Sequence, residues 1–312
     1  MSDGPLATSP AIFDRALIRS RRRRAARLGP ITFLLDRVAD EFADRLAAVM
    51  RHFDVAVDLG TPSDAVRSAL TQLGSVGTII RSDAALDCAA PLAQKSVAAD
   101  EEALPFRDAS LDLVVSGLVL QFVNDLPGVL VQIRRALKPD GLFLAALLGG
   151  ETLTELRQSF AAAESEVEDG ASPRVAPFAD LRELGALLQR AGFALPVTDV
   201  DRVTVRYDTV FGLMGDLRRM GATNALVARR RTPLRRATLY RMAEIYAQRF
   251  ADSDGRLRAT FEIVWLSAWA PHPDQQKPLK PGSAKARLAD ALHTQEISTG
   301  EKAPISAPSR RS

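Results

Sequence analysis

Apolar positions along the chain follow two rhythms. From 33 to 53, Leu35, Val38, Phe42, Leu46, Val49 and Phe53 recur at three- and four-residue steps, which places them on one face of a helix. A different pattern follows. VAVDLG (55–60), GTIIRSD (77–83), KSVAAD (95–100), LDLVVSGLVL (111–120) and LFLAALLGG (142–150) are short apolar runs of strand type. The fourth does not alternate with polar residues, as expected of a strand buried on both faces. Between the runs, Ser63 or Asp64 can cap a helix reaching Leu73, and LPGVLVQIRRA reads as a helix stopped by a turn at Lys138-Pro139-Asp140-Gly141. Strands separated by helices predict right-handed βαβ crossovers and a parallel, doubly wound α/β sheet.

The second half reads differently. Helices over about 151–165 and 178–191 precede VTDVDRVTVRY (197–207), where Val203, Val205 and Tyr207 alternate with polar residues, the mark of a strand with one wet face. A helical insertion is expected over about 209–250, and RATFEIVWLSAWA (258–270) is a long final strand. These two late strands are predicted to pair antiparallel at one sheet edge. The organisation is then a basic arm (1–30), an α/β domain (31–276) and a Pro-, Lys-, Ser- and Ala-rich tail (277–312) expected to be disordered.

With 312 residues and 46% hydrophobic composition, the chain can bury one large α/β core. No run approaches the roughly 18 apolar residues of a membrane span, and MSDGPLATSP lacks the order of a signal peptide, so a soluble intracellular chain is expected. Cys88 is the only cysteine, which excludes an intramolecular disulfide and a cysteine-based zinc site. The net charge of +3 is unevenly spread. Residues 15–27 carry seven Arg and no acid, whereas 28–276 carry 27 basic and 33 acidic residues. Such an arginine run suits anionic lipid, an acidic protein face or solvent; with no interleaved aromatics and no nucleic-acid motif, nucleic acid is not an expected partner.

In open α/β sheets, ligands sit at the carboxyl ends of the strands. Acids fall there: Asp58 in the first strand, Asp83 after the second, Asp100 and Glu101 after the third. A carboxylate ending the second strand suits the vicinal hydroxyls of a ribose. The turn after VAVDLG carries Thr61, Pro62 and Ser63 where phosphate-binding loops carry glycines. Pro62 removes a donor and the flanking side chains stand beside the cofactor path, which disfavours NAD and ATP. S-adenosylmethionine, lacking phosphates, makes weaker demands, and glycines at 61 and 63 are expected to tighten its binding.

Other candidates are weaker. His272, Asp274 and His293 have the ligand types of a two-His-one-carboxylate iron site but straddle the tail, so no metal is expected. His52 is read as ending the leading helix, against its dipole. Glu151 and Arg157 could meet a substrate or simply decorate a helix. No Ser or Cys nucleophile with an adjacent base is readable, so hydrolase chemistry is not indicated.

Taken together, VDLG, ADEEALPFRDASLDLVVSGLVLQFVNDLP and LKPDGLFLAALLGGETLTELR resemble the class I S-adenosylmethionine-dependent methyltransferase fold, in its type 11 group. Val123-Asn124-Asp125-Leu126-Pro127, Gly149-Gly150-Glu151-Thr152-Leu153 and Met220-Gly221-Ala222-Thr223-Asn224 narrow the resemblance to the mitochondrial complex I assembly factor 5 family, the arginine-hydroxylase assembly factors, and their alphaproteobacterial relatives. The resemblance implies a seven-stranded, mostly parallel sheet with an antiparallel edge strand, S-adenosylmethionine as cofactor, and hydroxylation of an arginine in an iron–sulfur subunit of NADH:ubiquinone oxidoreductase. Asp58 and Gly60 would lie beside the cofactor's methionine end, Asp83 at the ribose, Asp100 and Glu101 at the adenine, and Ser116 after the fourth strand. Gln121, Asn124 and Asp125 are the catalytic candidates; Gln121-Phe122 stands where the family commonly shows His-Trp. The open alternatives are an ordinary methyltransferase acting on a small molecule or carrier protein, and a non-catalytic assembly factor. The implied location is a bacterial cytoplasm, with peripheral contact of the basic arm at the inner membrane.

Overall fold

The computed structural model describes residues 11–85, 95–168, 170–275 and 294. Seven strands form one sheet in the order β3-β2-β1-β4-β5-β7-β6. β1 (Phe53–Leu59) is the hub, pairing in parallel with β2 (Val76–Ser82) on one side and β4 (Leu111–Gly117) on the other. β3 (Ser96–Val97) is a two-residue edge, and β5 (Leu137–Leu148) continues the parallel run beyond β4. β7 (Leu257–Trp269) inserts antiparallel between β5 and the edge strand β6 (Ala194–Tyr207), so the two late strands pair antiparallel at one edge, as predicted. Strand order therefore reverses between β1 and β4, where a doubly wound sheet opens a crevice.

Successive residues of each inner strand supply opposite faces. Ala56, Leu113, Val115, Leu142 and Leu144 pack beneath α2 (Phe33–Ala47), α3 (Ala65–Gln72), α5 (Thr154–Val167), α7 (Val210–Arg219) and α8 (Arg236–Phe250). Val57, Leu59, Val114, Phe143 and Ala145 pack beneath α4 (Leu126–Ala136) and α6 (Leu181–Arg190). Burial on both faces explains why β4 and β5 read as continuous apolar runs.

Local departures from the sequence reading have physical causes. The leading helix stops at Ala47, because Phe53 is taken into β1; His52 therefore lies between the two elements, 3.5 Å from Asp54, and does not cap a helix. Lys138–Gly141 is not a free turn but the start of β5. Its register jumps from Leu111↔Leu137 to Leu113↔Leu142, so the Pro-Asp-Gly segment bulges out with Asp140 at φ +59°. The 209–250 region is two helices, α7 and α8, separated by irregular backbone. Residues through His272 form one unit. Cys88, His293 and, apart from Thr294, the 277–312 tail lie outside the described residues.

From residue 11 onward the basic arm is part of this fold. Helix α1 (Arg15–Arg27) starts at Asp14, whose carboxylate accepts the Leu17 N–H at 3.0 Å, and ends with Arg24 and Arg27 near its negative dipole end. Its apolar residues join a small separate cluster of Phe13, Ile18, Ala225 and Leu226. Two of the family-like stretches seat it. Asn124 accepts the Ile12 and Phe13 N–H groups, each at 2.8 Å, and donates to the Phe13 carbonyl at 3.2 Å. Gly221, at φ +73°, lies so close that an added Cβ would stand 3.2 Å from Arg22 Cα, and Arg21 donates to the Thr223 carbonyl at 2.6 Å.

Candidate functional site

Because β1, β2 and β3 run parallel and end together, Asp58, Asp83, Asp100 and Glu101 converge at one rim of the sheet, as predicted. Asp58, Asp83 and Glu101 are buried. Gly60 turns the chain at φ +74°, a conformation glycine adopts freely, and a Cβ there would lie 2.9 Å from both Glu101 Oε1 and Val119 Cγ1. Asp58 is fully buried and its Oδ2 has no hydrogen-bond partner among the described residues. Burial pushes its carboxyl up to about 7, while the Thr61 hydroxyl and the Arg81 charge pull the other way.

The Thr61-Pro62-Ser63 turn differs from the sequence expectation at its first residue. Thr61 is fully buried and points under the turn, donating to Asp58 and accepting the Gly117 N–H at 3.1 Å. It therefore ties β1 to β4 and does not crowd the ligand path. Pro62 does face the cleft, and Ser63 Oγ accepts the Ala65 N–H at 3.3 Å at the start of α3. Ser116 is likewise structural. It lies within β4, not after it, and its hydroxyl donates to the Leu59 carbonyl at 2.8 Å, because adjacent parallel strands bring the two together.

The feature that sequence reasoning missed is the partner of the acids. Arg15, Arg19 and Arg22 share one face of α1 and reach across the rim. Arg15 pairs with Asp100 at 2.6 Å and with Glu101; Arg19 pairs with Asp100 at 3.0 Å. Arg22 pairs with Glu101 at 3.3 Å and Asp83 at 3.5 Å, and donates to the Gly60 carbonyl. From the opposite side Arg81 reaches Asp83 at 3.2 Å. Although burial works against its charge, the Glu102 N–H and the Arg15 and Arg19 guanidiniums hold the Asp100 carboxyl below its ordinary range. The readable signal was the i, i+4, i+7 spacing of these arginines.

Beside this rim a cavity of about 300 Å³ opens over the ends of β4 and β5. Its walls are mainly apolar, among them Leu118, Phe122, Leu153, Phe160 and Met214, with Arg15, Arg19 and Arg22 along the α1 side. Leu118 and Leu153 adopt left-handed backbone, φ +53° and +54°, each pinned by its N–H to a neighbouring strand, Leu118 to the Ala146 carbonyl and Leu153 to that of Thr260. Strained residues held in this way cluster at functional sites.

The three catalytic candidates separate here. Asp125 is exposed and caps α4 through the Gly128 N–H at 2.9 Å; Asn124 spends its amide on the arm. Gln121 alone faces the cavity. Its Nε2 donates to the Leu118 carbonyl at 2.8 Å, which leaves the buried Oε1 without a partner and able to receive an N–H donor. Arg157 donates to the Gly150 and Thr152 carbonyls, both at 3.1 Å, so its role is to shape the loop after β5. His272 lies 3.9 Å from Asp140; no group of three or more metal-ligating side chains occurs among the described residues.

The donor set fits S-adenosylmethionine in kind. The rim offers acceptors for ribose hydroxyls and an adenine amine, an orphaned carboxylate oxygen at Asp58, and close backbone approach at Gly60. The comparisons agree with this geometry. A methyltransferase-domain family model (Methyltransf_11) matches residues 57–145, the β1–β5 segment that carries the acids. The YcgJ protein of Bacillus subtilis superposes with a TM-score of 0.52 at 15% identity, covering 75% of this chain and 98% of that one, which is a likeness of fold. A malonyl-[acyl-carrier protein] O-methyltransferase of Xylella fastidiosa is 35% identical, covering 74% of this chain and 77% of the relative. The mouse arginine-hydroxylase NDUFAF5 is 38% identical over 309 residues, 95% of this chain and 89% of the relative. That match runs through the arm and the α7–α8 region that enclose the cavity, as well as the cofactor strands, and the chain belongs to the arginine-hydroxylase NDUFAF5 family.

Proposed function

We infer that this chain binds S-adenosylmethionine at Asp58, Gly60, Asp83, Asp100 and Glu101 and hydroxylates an arginine of an iron–sulfur subunit during assembly of NADH:ubiquinone oxidoreductase. The observation that carries the reading is the 38% identity to an arginine hydroxylase over 95% of the chain. The cavity supports it: apolar walls suit the aliphatic stem of an arginine, and Gln121 Oε1 can accept from a guanidinium N–H. Bound there, the cofactor would supply an electrophilic sulfonium. Hydroxylation inserts one oxygen atom into a C–H bond of the side chain, a two-electron oxidation whose oxygen source must come from outside the chain; with dioxygen as that source, a donor of two electrons and two protons is also required, and the second oxygen leaves as water. The reading also places the protein in a bacterial cytoplasm, at the inner face of the membrane where its client assembles.

A methyltransferase acting on a carrier protein is the second reading, favoured by the malonyl-[acyl-carrier protein] relative. Calorimetric titration of the purified chain with S-adenosylmethionine tests the cofactor half of both. Saturable heat is expected; no heat and no thermal shift at millimolar cofactor would contradict both.

A further inference from the structure

The carboxylates that the ends of β2 and β3 offer to a nucleoside are already held by guanidinium groups of α1. Arg22 is the deepest. It bridges the Gly60 carbonyl, Glu101 and Asp83, spanning the gap between the turn after β1 and the end of β2 where a ribose would have to lie. Its side chain is only 11% exposed, and Arg15, on the Asp100–Glu101 pair, 15%. Guanidinium and nucleoside cannot both use these oxygens.

We propose that α1 is a displaceable occupant of the cofactor cleft: Arg15, Arg19 and Arg22 compete with the cofactor's nucleoside for Asp83, Asp100 and Glu101, and the cofactor binds by exchanging α1 out. The proposal rests on the cofactor reading above.

The way α1 is held makes the exchange feasible. Its apolar anchor is the small cluster of Phe13, Ile18, Ala225 and Leu226, distinct from the two clusters that cover the sheet. It can therefore leave without opening either face of the core. Gly29, at φ +79°, lies between α1 and α2 at the point where a hinge is required. When α1 withdraws, Asp83 keeps Arg81 at 3.2 Å, so the uncompensated charge falls on Asp100 and Glu101, the pair nearest the adenine position. Leaving a buried carboxylate unpaired is costly, so α1 leaves when a ligand takes its place. The same movement removes three guanidiniums from the cavity wall. A cavity lined by cations repels an arginine-bearing client, and their departure lifts that repulsion. Cofactor binding would thus precede and favour client binding.

The test uses the full-length chain with S-adenosylhomocysteine as probe, and two readouts. Trypsin cleavage within α1 should accelerate when the probe is added, since its arginines leave their carboxylates. In calorimetry, the Arg15→Gln/Arg19→Gln/Arg22→Gln variant should bind about tenfold tighter than the parent, equivalent to about 1.4 kcal/mol. Arg22→Gln alone, expected to shift in the same direction, guards against misfolding of the triple variant, and the proteolysis assay needs no variant. Protection of α1 by the probe, with weaker binding to the glutamine variants, would overturn the proposal and make α1 a fixed wall of the site. Equal affinities would also overturn it while leaving the cofactor reading intact. Absence of binding to parent and variants alike would overturn both.

Discussion

The Thr61 hydroxyl donates to the Asp58 carboxylate while its oxygen accepts the Gly117 N–H at 3.1 Å, joining β1, the turn that follows it and β4 through one buried side chain. A residue that reads in sequence as an obstacle to the cofactor is thus a strut beneath it. Thr61→Val should destabilise the chain by about 1–3 kcal/mol, because a buried acceptor and a buried donor lose their partner together. Thr61→Ser, which keeps the hydroxyl, should cost much less. Thr61→Gly should also destabilise, since it removes the same hydroxyl. Urea unfolding of the three variants checks the order.

Asp58 makes stability pH-dependent in a direction opposite to that of most carboxylates. Its carboxyl titrates near 7 in the folded chain against 3.8 in the unfolded one, so the native state holds an extra proton between these values. Stability attributable to Asp58 is therefore full below about 4 and is lost as pH rises towards about 7. Asp58→Asn removes this dependence. The difference between parent and variant unfolding free energies should shift in favour of the variant across that window and level off above it; a flat difference would contradict the assignment.

Gly60→Ala should cost about 1–2 kcal/mol from left-handed backbone alone. The new methyl also meets Glu101 and Val119 at 2.9 Å, so Glu101 must move. Thermal unfolding should show the loss of stability, and calorimetry weaker S-adenosylhomocysteine binding.

Asn124→Ala removes the two acceptor contacts and one donor contact that hold residues 12 and 13. Because the arm has its own small cluster, the sheet should persist while α1 loosens. Far-ultraviolet circular dichroism should change little, and hydrogen exchange within residues 15–27 should rise by about tenfold or more, the equivalent of about 1.4 kcal/mol of local stability.

How much of this was legible in the chain depended on the range of the interaction. The parallel strands and the acids at their ends follow from local apolar runs and from where those runs stop, and the late antiparallel pair from the alternation at Val203, Val205 and Tyr207. The bulge at Lys138–Gly141 was read as a turn because the local signal of Pro, Asp and Gly is the same for both; only pairing to β4 distinguishes them. Ser116, Asn124 and Asp125 were marked by the family resemblance, but their contacts, to the Leu59 carbonyl, the arm and the α4 terminus, are structural and fixed by the fold. The α1 clasp was least legible. Arg22 and Asp83 are 61 residues apart, and nothing in a run of seven arginines says which three turn inward until the helix phase is matched to the acids.

The proposed activity is hydroxylation of an arginine of a respiratory iron–sulfur subunit. Site-resolved mass spectrometry of that subunit, isolated from cells with and without the chain, tests it most directly. One arginine lighter by 16 Da is expected when the chain is deleted, restored by the parent and not by a variant lacking Asp83 and Glu101. A loss of 14 Da would indicate methylation instead, and an arginine of unchanged mass would contradict the claim.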